Sequence, residues 1–451
     1  MTVATGRGGA VAKRGRIGAA MLMLAALAAC ERPVILQGAR FDVRTPTDVI
    51  ASGQPPLPPA NRAVPVRFTA PAALADWTHR AGSPAHAVPP LALSPGAERA
   101  WSVPIGTGNA RRTRITAAPV VAGGIVYAMD ALAQVTAVST AGAVLWRADA
   151  KLPGEAPGAA SGGGLAVAGG RVFVTTGYGE LLALDAGSGA VIWRKRFPAP
   201  VSGAPTVVDG TVYVAARDAA GYAVDARDGK LRWLVPGVPQ TVGRANAPAP
   251  AVAGDLVYFP YAAGEIIAVN RRSGDPVWTA QAAGPRPGRA VALQSDLTGD
   301  PVIAGGAGFV GSSAGRTAAF DARTGLPRWN APHGAMGPVF PAGGSVFLTD
   351  DLGRLVRLDA STGAVVWTVD LGLYTDDRVR RQRSVVAHYG PVVAGARVWV
   401  ASSDGAIRVF DPADGALFRT IALPGGAAAA PAVAGGTLYV VSGNGQLHAF
   451  R

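Results

Sequence analysis

Five histidines, one cysteine and a regularly spaced set of aspartates are the residues of this 451-residue chain that could hold a metal, attack a substrate or move a proton. His79, His86, His333, His388 and His448 stand apart, and none forms the His-Glu-x-x-His pair that sets two imidazoles on one helical face for a metal. Zinc sites built on thiolates need several cysteines, and the chain has only Cys30. No Gly-x-Ser-x-Gly nucleophile elbow occurs in a strand-to-helix context. Asp185, Asp225, Asp321, Asp359 and Asp411 recur at one place in a repeat. A catalytic group breaks the symmetry of a repeat, so these read as turn residues whose carboxylates bond their own backbone. The expectation is a protein that is not an enzyme, with no catalytic residue, no metal and no cofactor.

Arginine is what remains. Thr375-Asp376-Asp377-Arg378-Val379-Arg380-Arg381-Gln382-Arg383 concentrates four arginines beside two aspartates, and Pro285-Arg286-Pro287-Gly288-Arg289 leads towards Asp296. Both lie where the repeat is stretched, and irregular loops on a rigid scaffold are where binding usually sits. The planar guanidinium fork pairs well with carboxylates at protein interfaces, so Arg378, Arg380, Arg381 and Arg383 are candidate partner-binding residues.

The elements that would carry these loops are legible from about residue 96 onward. An aromatic recurs inside an alternating apolar run at Tyr127, Phe173, Tyr213, Tyr258, Phe309, Phe347, Trp399 and Tyr439, and a tryptophan recurs at Trp101, Trp146, Trp193, Trp233, Trp278, Trp329 and Trp367. Between them runs a constant four-and-four spacing, as in Asp185 to Gly189 to Trp193 and Asp321 to Gly325 to Trp329. Each unit reads as four strands, for instance residues 204–208, 211–216, 221–225 and 230–234. Four strands at a period near 45 residues predict an all-β fold, an eight-bladed β-propeller of four-stranded blades. The tryptophans are expected to fill the interfaces between blades. The last unit, ending at Leu447-His448-Ala449-Phe450-Arg451, lacks a fourth strand, whereas residues 98–104 around Trp101 have no blade before them. The N-terminal strand should therefore pair with the C-terminal blade and close the ring, leaving no long open edge.

Ahead of the repeats, Arg7, Lys13, Arg14 and Arg16 precede an apolar core at residues 17–29, too short to span a bilayer. The core ends in Leu27-Ala28-Ala29-Cys30, which resembles the lipobox of bacterial lipoproteins, so Cys30 is the expected lipidation site. Residues 1–29 thus read as a lipoprotein signal peptide, 30–95 as a lipidated Cys followed by a Pro/Ala-rich tether, and 96–451 as the propeller. Glu31 after the cysteine points to the outer membrane. The net charge of +13 includes four signal positives, leaving 13 − 4 = +9 for the mature chain. That balance suits an acidic protein or an anionic membrane surface, and export disfavours nucleic acid.

The Asp-x-x-[Ser/Thr/Asp]-Gly-x-x-x-Trp units resemble the repeats of quinoprotein-type propellers. That group includes the pyrroloquinoline quinone dehydrogenases and the BamB-type lipoprotein subunit of the outer-membrane β-barrel assembly (BAM) machinery. The latter is the better match, because it also covers the lipobox and the tether, and the dehydrogenases carry an adjacent cysteine pair absent here. The resemblance implies a non-catalytic scaffold of the BAM complex, lipid-anchored at the periplasmic face of the outer membrane. It would dock to the periplasmic domains of the barrel-forming subunit and assist nascent outer-membrane proteins. It also implies partner-binding roles for Asp296, for Arg244 in Gln240-Thr241-Val242-Gly243-Arg244, and for Val242. A dehydrogenase-like propeller and a scaffold for cell-wall or polymer machinery are the alternatives.

Overall fold

Glycine pairs and aspartates set the rhythm of the chain, and the strands between them are short. The structure is a computed structural model that describes residues 60–237, 248–261, 263–282, 284, 297–376 and 378–451. Among these, the strands assemble into eight four-stranded antiparallel sheets. Blades 1 to 7 are consecutive in sequence, at residues 120–149, 163–196, 206–236, 251–281, 302–331, 340–370 and 388–422. Blade 8 takes three strands from the C-terminus, Ala432–Ala434, Thr437–Ser442 and Gln446–Phe450, and its outermost strand, Arg99–Pro104, from the other end of the ring. Trp101 pairs with Ala449 and Val103 with Leu447, so the expected closure is the observed one.

The aromatic register occupies the second strand of each blade and the tryptophan register the fourth. Within a blade the two rings touch, as in Tyr127 and Trp146, whose centroids are 5.8 Å apart. Each tryptophan also reaches the next blade. Trp146 Nε1 donates to the Ala186 carbonyl of blade 2 at 3.0 Å, Trp193 to Ala226 of blade 3 at 3.1 Å, and Trp329 to Ala360 of blade 6 at 2.9 Å. The accepting carbonyl lies in the turn opened by the repeat aspartate. Asp185 Oδ1 accepts from the Ser188 amide at 2.9 Å and from its hydroxyl at 2.8 Å, and Gly189 follows at φ 75°. A Cβ on Gly189 would stand 2.5 Å from the Trp146 ring, so the glycine is needed for the neighbour's indole as well as for its own backbone. Blade 7 departs from the pattern: Arg419 stands at its tryptophan position and faces Glu98, beside the closing strand, at 3.6 Å.

Four antiparallel strands give every blade the same two ends. One face of the ring carries the hairpin turns between first and second and between third and fourth strands. The opposite face carries the second-to-third turns and the connections between blades. We call these the hairpin face and the inter-blade face.

Residues 60–95, read from composition as part of the tether, are packed on the ring. Buried Trp77 and Leu91 belong to the core cluster that spans blades 6, 7, 8 and 1. The segment follows the mouth of the central channel on the hairpin face, bonding inner-strand backbone in turn. Leu74 accepts from Gly435 of blade 8, Trp77 exchanges bonds with Val121 of blade 1, and Thr78 accepts from Val167 of blade 2. The Val207 amide of blade 3 donates to His79 Nε2 at 3.0 Å. Pro84 then accepts from Val252 of blade 4, Ala85 from Ile303 of blade 5, and Leu91 pairs with Val393 and Gly395 of blade 7. Composition misled here because proline and alanine lack periodicity in any non-repetitive backbone, whether it is solvated or docked. Trp77, whose large apolar ring is buried against the ring of blades, is the residue of this segment whose type fits docking.

Candidate functional site on the inter-blade face

The connections that insert extra residues all leave from one face. The stretch holding Val242 and Arg244 lies between the outermost strand of blade 3, Leu231–Pro236, and the innermost of blade 4, Ala251–Ala253. The stretch holding Asp296 lies between Pro276–Gln281 of blade 4 and Val302–Ala304 of blade 5. Val242, Arg244 and Asp296 themselves lie outside the described residues, as does Cys30.

The arginine loop is described, and it is built rather than loose. Its base is a short antiparallel ladder: Tyr374 pairs with Val385, Thr375 N donates to Ser384 O at 3.0 Å, and Val386 N to Leu373 O at 2.9 Å. Above it the chain makes a 3-10 turn, Val379–Arg381. The Arg378 amide donates to Asp376 Oδ1 at 2.9 Å, and the Arg381 guanidinium stands 3.8 Å from the same carboxylate. Arg378, Arg380, Arg381 and Arg383 are all exposed. This loop connects blade 6 to blade 7 and so leaves from the inter-blade face, where the described strands flanking the other two stretches also end.

Sequence reading missed what lies beside it. A cavity of about 410 Å³ opens among the connections into blades 1, 6, 7 and 8, with Asn109, Arg114, Met336, His388 and Tyr389 in its wall. Arg80, delivered by the segment across the other mouth of the channel, also lines it. The Arg80 Nε lies 2.6 Å from Asp300 Oδ2, a carboxylate with no exposed side-chain surface whose other oxygen accepts from the Ala249 amide at 2.7 Å. Removing one partner of such a buried pair leaves an uncompensated charge, so the pair pins the segment to blades 4 and 5. Nothing in the spacing of Arg80 and Asp300 pairs them, because 220 residues separate them along the chain.

The histidines are structural. His79 accepts from the Val207 amide through Nε2, which leaves its proton on Nδ1, 2.8 Å from Thr78 Oγ1. Burial, with a contribution from nearby His86, lowers its pKa to about 3, so it is neutral. Burial likewise lowers His86, whose Nδ1 lies 2.8 Å from the Pro301 carbonyl. His388 bonds Ser402 Oγ and the Gly372 carbonyl, both at 2.8 Å, and burial lowers its pKa too. Among the described residues no three His, Cys, Asp or Glu side chains gather as a metal site. The repeat aspartates are held at their turns, and the Arg328 guanidinium with Thr324 brings Asp321 down to about 2.

A family model described as outer membrane protein assembly factor BamB matches residues 131–369 and 375–451, well over half of the chain. The chain belongs to the BamB family. It is 25% identical over 363 residues to the outer membrane protein assembly factor BamB of Burkholderia pseudomallei, covering 78% of this chain and 88% of that one. The crystal structure of BamB from Moraxella catarrhalis superposes with a TM-score of 0.62 at 18% identity, over 79% of this chain and 97% of that one. A quinohemoprotein alcohol dehydrogenase of Pseudomonas putida superposes with a TM-score of 0.63 at 17% identity, over 84% of this chain and 80% of that one. At such identities the superpositions show a shared fold, and a fold hosts more than one function. The BamB assignment rests on the sequence match, which runs through blades 2 to 8.

Proposed function

We propose that this propeller is a non-catalytic scaffold of the BAM complex, lipid-anchored through Cys30 at the periplasmic face of the outer membrane. In this reading the inter-blade face docks to the periplasmic domains of the barrel-forming subunit, through Val242, Arg244, Asp296 and the loop bearing Arg378, Arg380, Arg381 and Arg383. Docked in this way, it would assist the insertion of nascent outer-membrane proteins. The observation that carries the proposal is the BamB family match across the ring. It is supported by the topology, in which the described strands flanking all three candidate insertions end at one face of the ring.

Binding of the purified chain to the isolated periplasmic domains of the barrel-forming subunit tests it. Arg244→Ala, Asp296→Ala and replacement of the four loop arginines by glutamine should each weaken binding by about 1 to 3 kcal/mol, the range for a desolvated charged contact at an interface. Saturating concentrations without binding would remove the proposal. The dehydrogenase-like propeller shares the fold, and cofactor absorbance in the purified protein would favour that alternative instead. Co-purification with cell-wall components would point to the polymer-scaffold alternative.

A further inference from the structure

Charge is distributed unevenly around the inter-blade face. The connection from blade 8 into blade 1, residues 105–119, presents exposed Arg111, Arg112 and Arg114 and contains no acid. The connection from blade 6 into blade 7 presents Arg378, Arg380, Arg381 and Arg383, of which, among the described residues, Arg381 alone reaches a carboxylate. Between them the connection from blade 7 into blade 8, residues 423–431, is Leu-Pro-Gly-Gly-Ala-Ala-Ala-Ala-Pro and uncharged. Asp300 is paired with Arg80, Asp350 with Arg354 at 2.7 Å and Asp404 with Arg408 at 2.5 Å, while exposed Asp370, at the base of the arginine loop, accepts from the Gly372 amide at 2.8 Å.

The 410 Å³ cavity opens in this same arc, and its charged wall groups are two guanidiniums, Arg114 and Arg80. His388 and Tyr389 beside them are held neutral by burial, which lowers the imidazole pKa and raises the phenol's. The charge of Arg80 is met by Asp300, so Arg114, which forms no ion pair among the described residues, is the wall group left to attract an anion, and the two exposed arginine clusters extend that field over several residues of a ligand. A flat anionic membrane would meet the exposed rim but not enter the cavity beside Arg114, whereas a side-chain carboxylate on a flexible chain reaches both.

We propose that the arc from blade 6 to blade 1 binds an acidic polypeptide segment, with carboxylates spread over the two arginine clusters and one entering the cavity at Arg114. The surface shares the loop of Arg378 to Arg383 with the docking face proposed above, but its test needs no barrel-forming subunit, so either idea can fail alone.

The test uses the chain from Glu31 onward, which retains the whole compact unit Pro58–Arg451. The probe is a fluorescein-labelled peptide of about ten alternating glutamates and glycines, followed by anisotropy at about 20 mM and about 300 mM salt, where screening lengths differ severalfold. Saturable binding is expected at low salt, with loss of about tenfold in affinity at high salt. Arg111→Gln/Arg112→Gln/Arg114→Gln and Arg378→Gln/Arg380→Gln/Arg383→Gln should each weaken it about tenfold, and Arg114→Gln alone severalfold. Arg272→Gln/Arg323→Gln, exposed positions on the hairpin face, should leave it unchanged. These side chains are exposed, so an unchanged urea midpoint verifies that each variant is folded. The proposal is overturned by absence of saturable binding, or by equal weakening in the hairpin-face control. Binding to phosphatidylglycerol vesicles without binding to the peptide would overturn it in favour of a membrane-facing surface.

Discussion

The glycine of each Asp-to-Gly turn serves the tryptophan of the preceding blade, as Gly189 does Trp146 and Gly363 does Trp329. Gly325 lies against Trp278, with a would-be Cβ 2.6 Å from its ring and a φ of 74°. Gly325→Val combines a left-handed backbone with an overpacked interface and should cost about 3 kcal/mol, read as a lower urea midpoint. Gly124→Ala has a similar φ of 75° but open space around the new methyl, and should cost only about 1 kcal/mol. Equal effects would mean that the indole does not dock on the glycine. His79 supplies a second test. Its pKa falls from an unfolded value near 6.5 to about 3, so acid protonates the unfolded chain first. The stability it supports is present above pH 6.5 and is lost as pH falls towards 3, at about 1.4 kcal/mol per pH unit for one proton. His79→Gln keeps an acceptor for the Val207 amide and removes the titration, so stability against pH should become shallower in that window. An unchanged slope would exclude His79 as a source of the acid sensitivity.

At the scale of elements, the ring was readable because its information is local and repeated: an alternating strand, an Asp-to-Gly turn and a tryptophan return in every unit, and one unit short of a strand implies a donor elsewhere. Residues 98–104 supplied it, and Arg99–Pro104 is the strand observed. Deleting residues 96–104 should lower the unfolding temperature of the whole propeller in calorimetry, whereas a change confined to part of the transition would contradict a cooperative closure. The segment around Trp77 was not readable as a second closure. It makes only one or two hydrogen bonds to each of seven blades, and no periodicity announces them. The same reason hid the Arg80–Asp300 pair and the cavity, since both arise from residues that only the closed ring brings together. Trp77→Ala should therefore destabilise the protein by about 3 to 5 kcal/mol, the range for deleting a buried tryptophan, although the residue lies before the first repeat. A surface-like effect below about 0.5 kcal/mol would mean that the segment is held by other contacts.

At the scale of the whole ring, the unit Pro58–Arg451 has two unlike faces. The hairpin face carries the aspartate turns and the segment that covers the channel mouth, and the inter-blade face carries the loop of Arg378 to Arg383, exposed Arg111, Arg112 and Arg114, and the cavity. A scaffold built this way should engage its partner from one side only. The most direct measurement is site-specific photo-crosslinking in cells, with the reactive residue placed at Arg381 or Arg112 on the inter-blade side and at Arg272 or Arg323 on the hairpin side. The account expects crosslinks to the barrel-forming subunit from the inter-blade positions and none from Arg272 or Arg323. Crosslinks to that subunit from the hairpin side alone, or from no position on the ring, would contradict it.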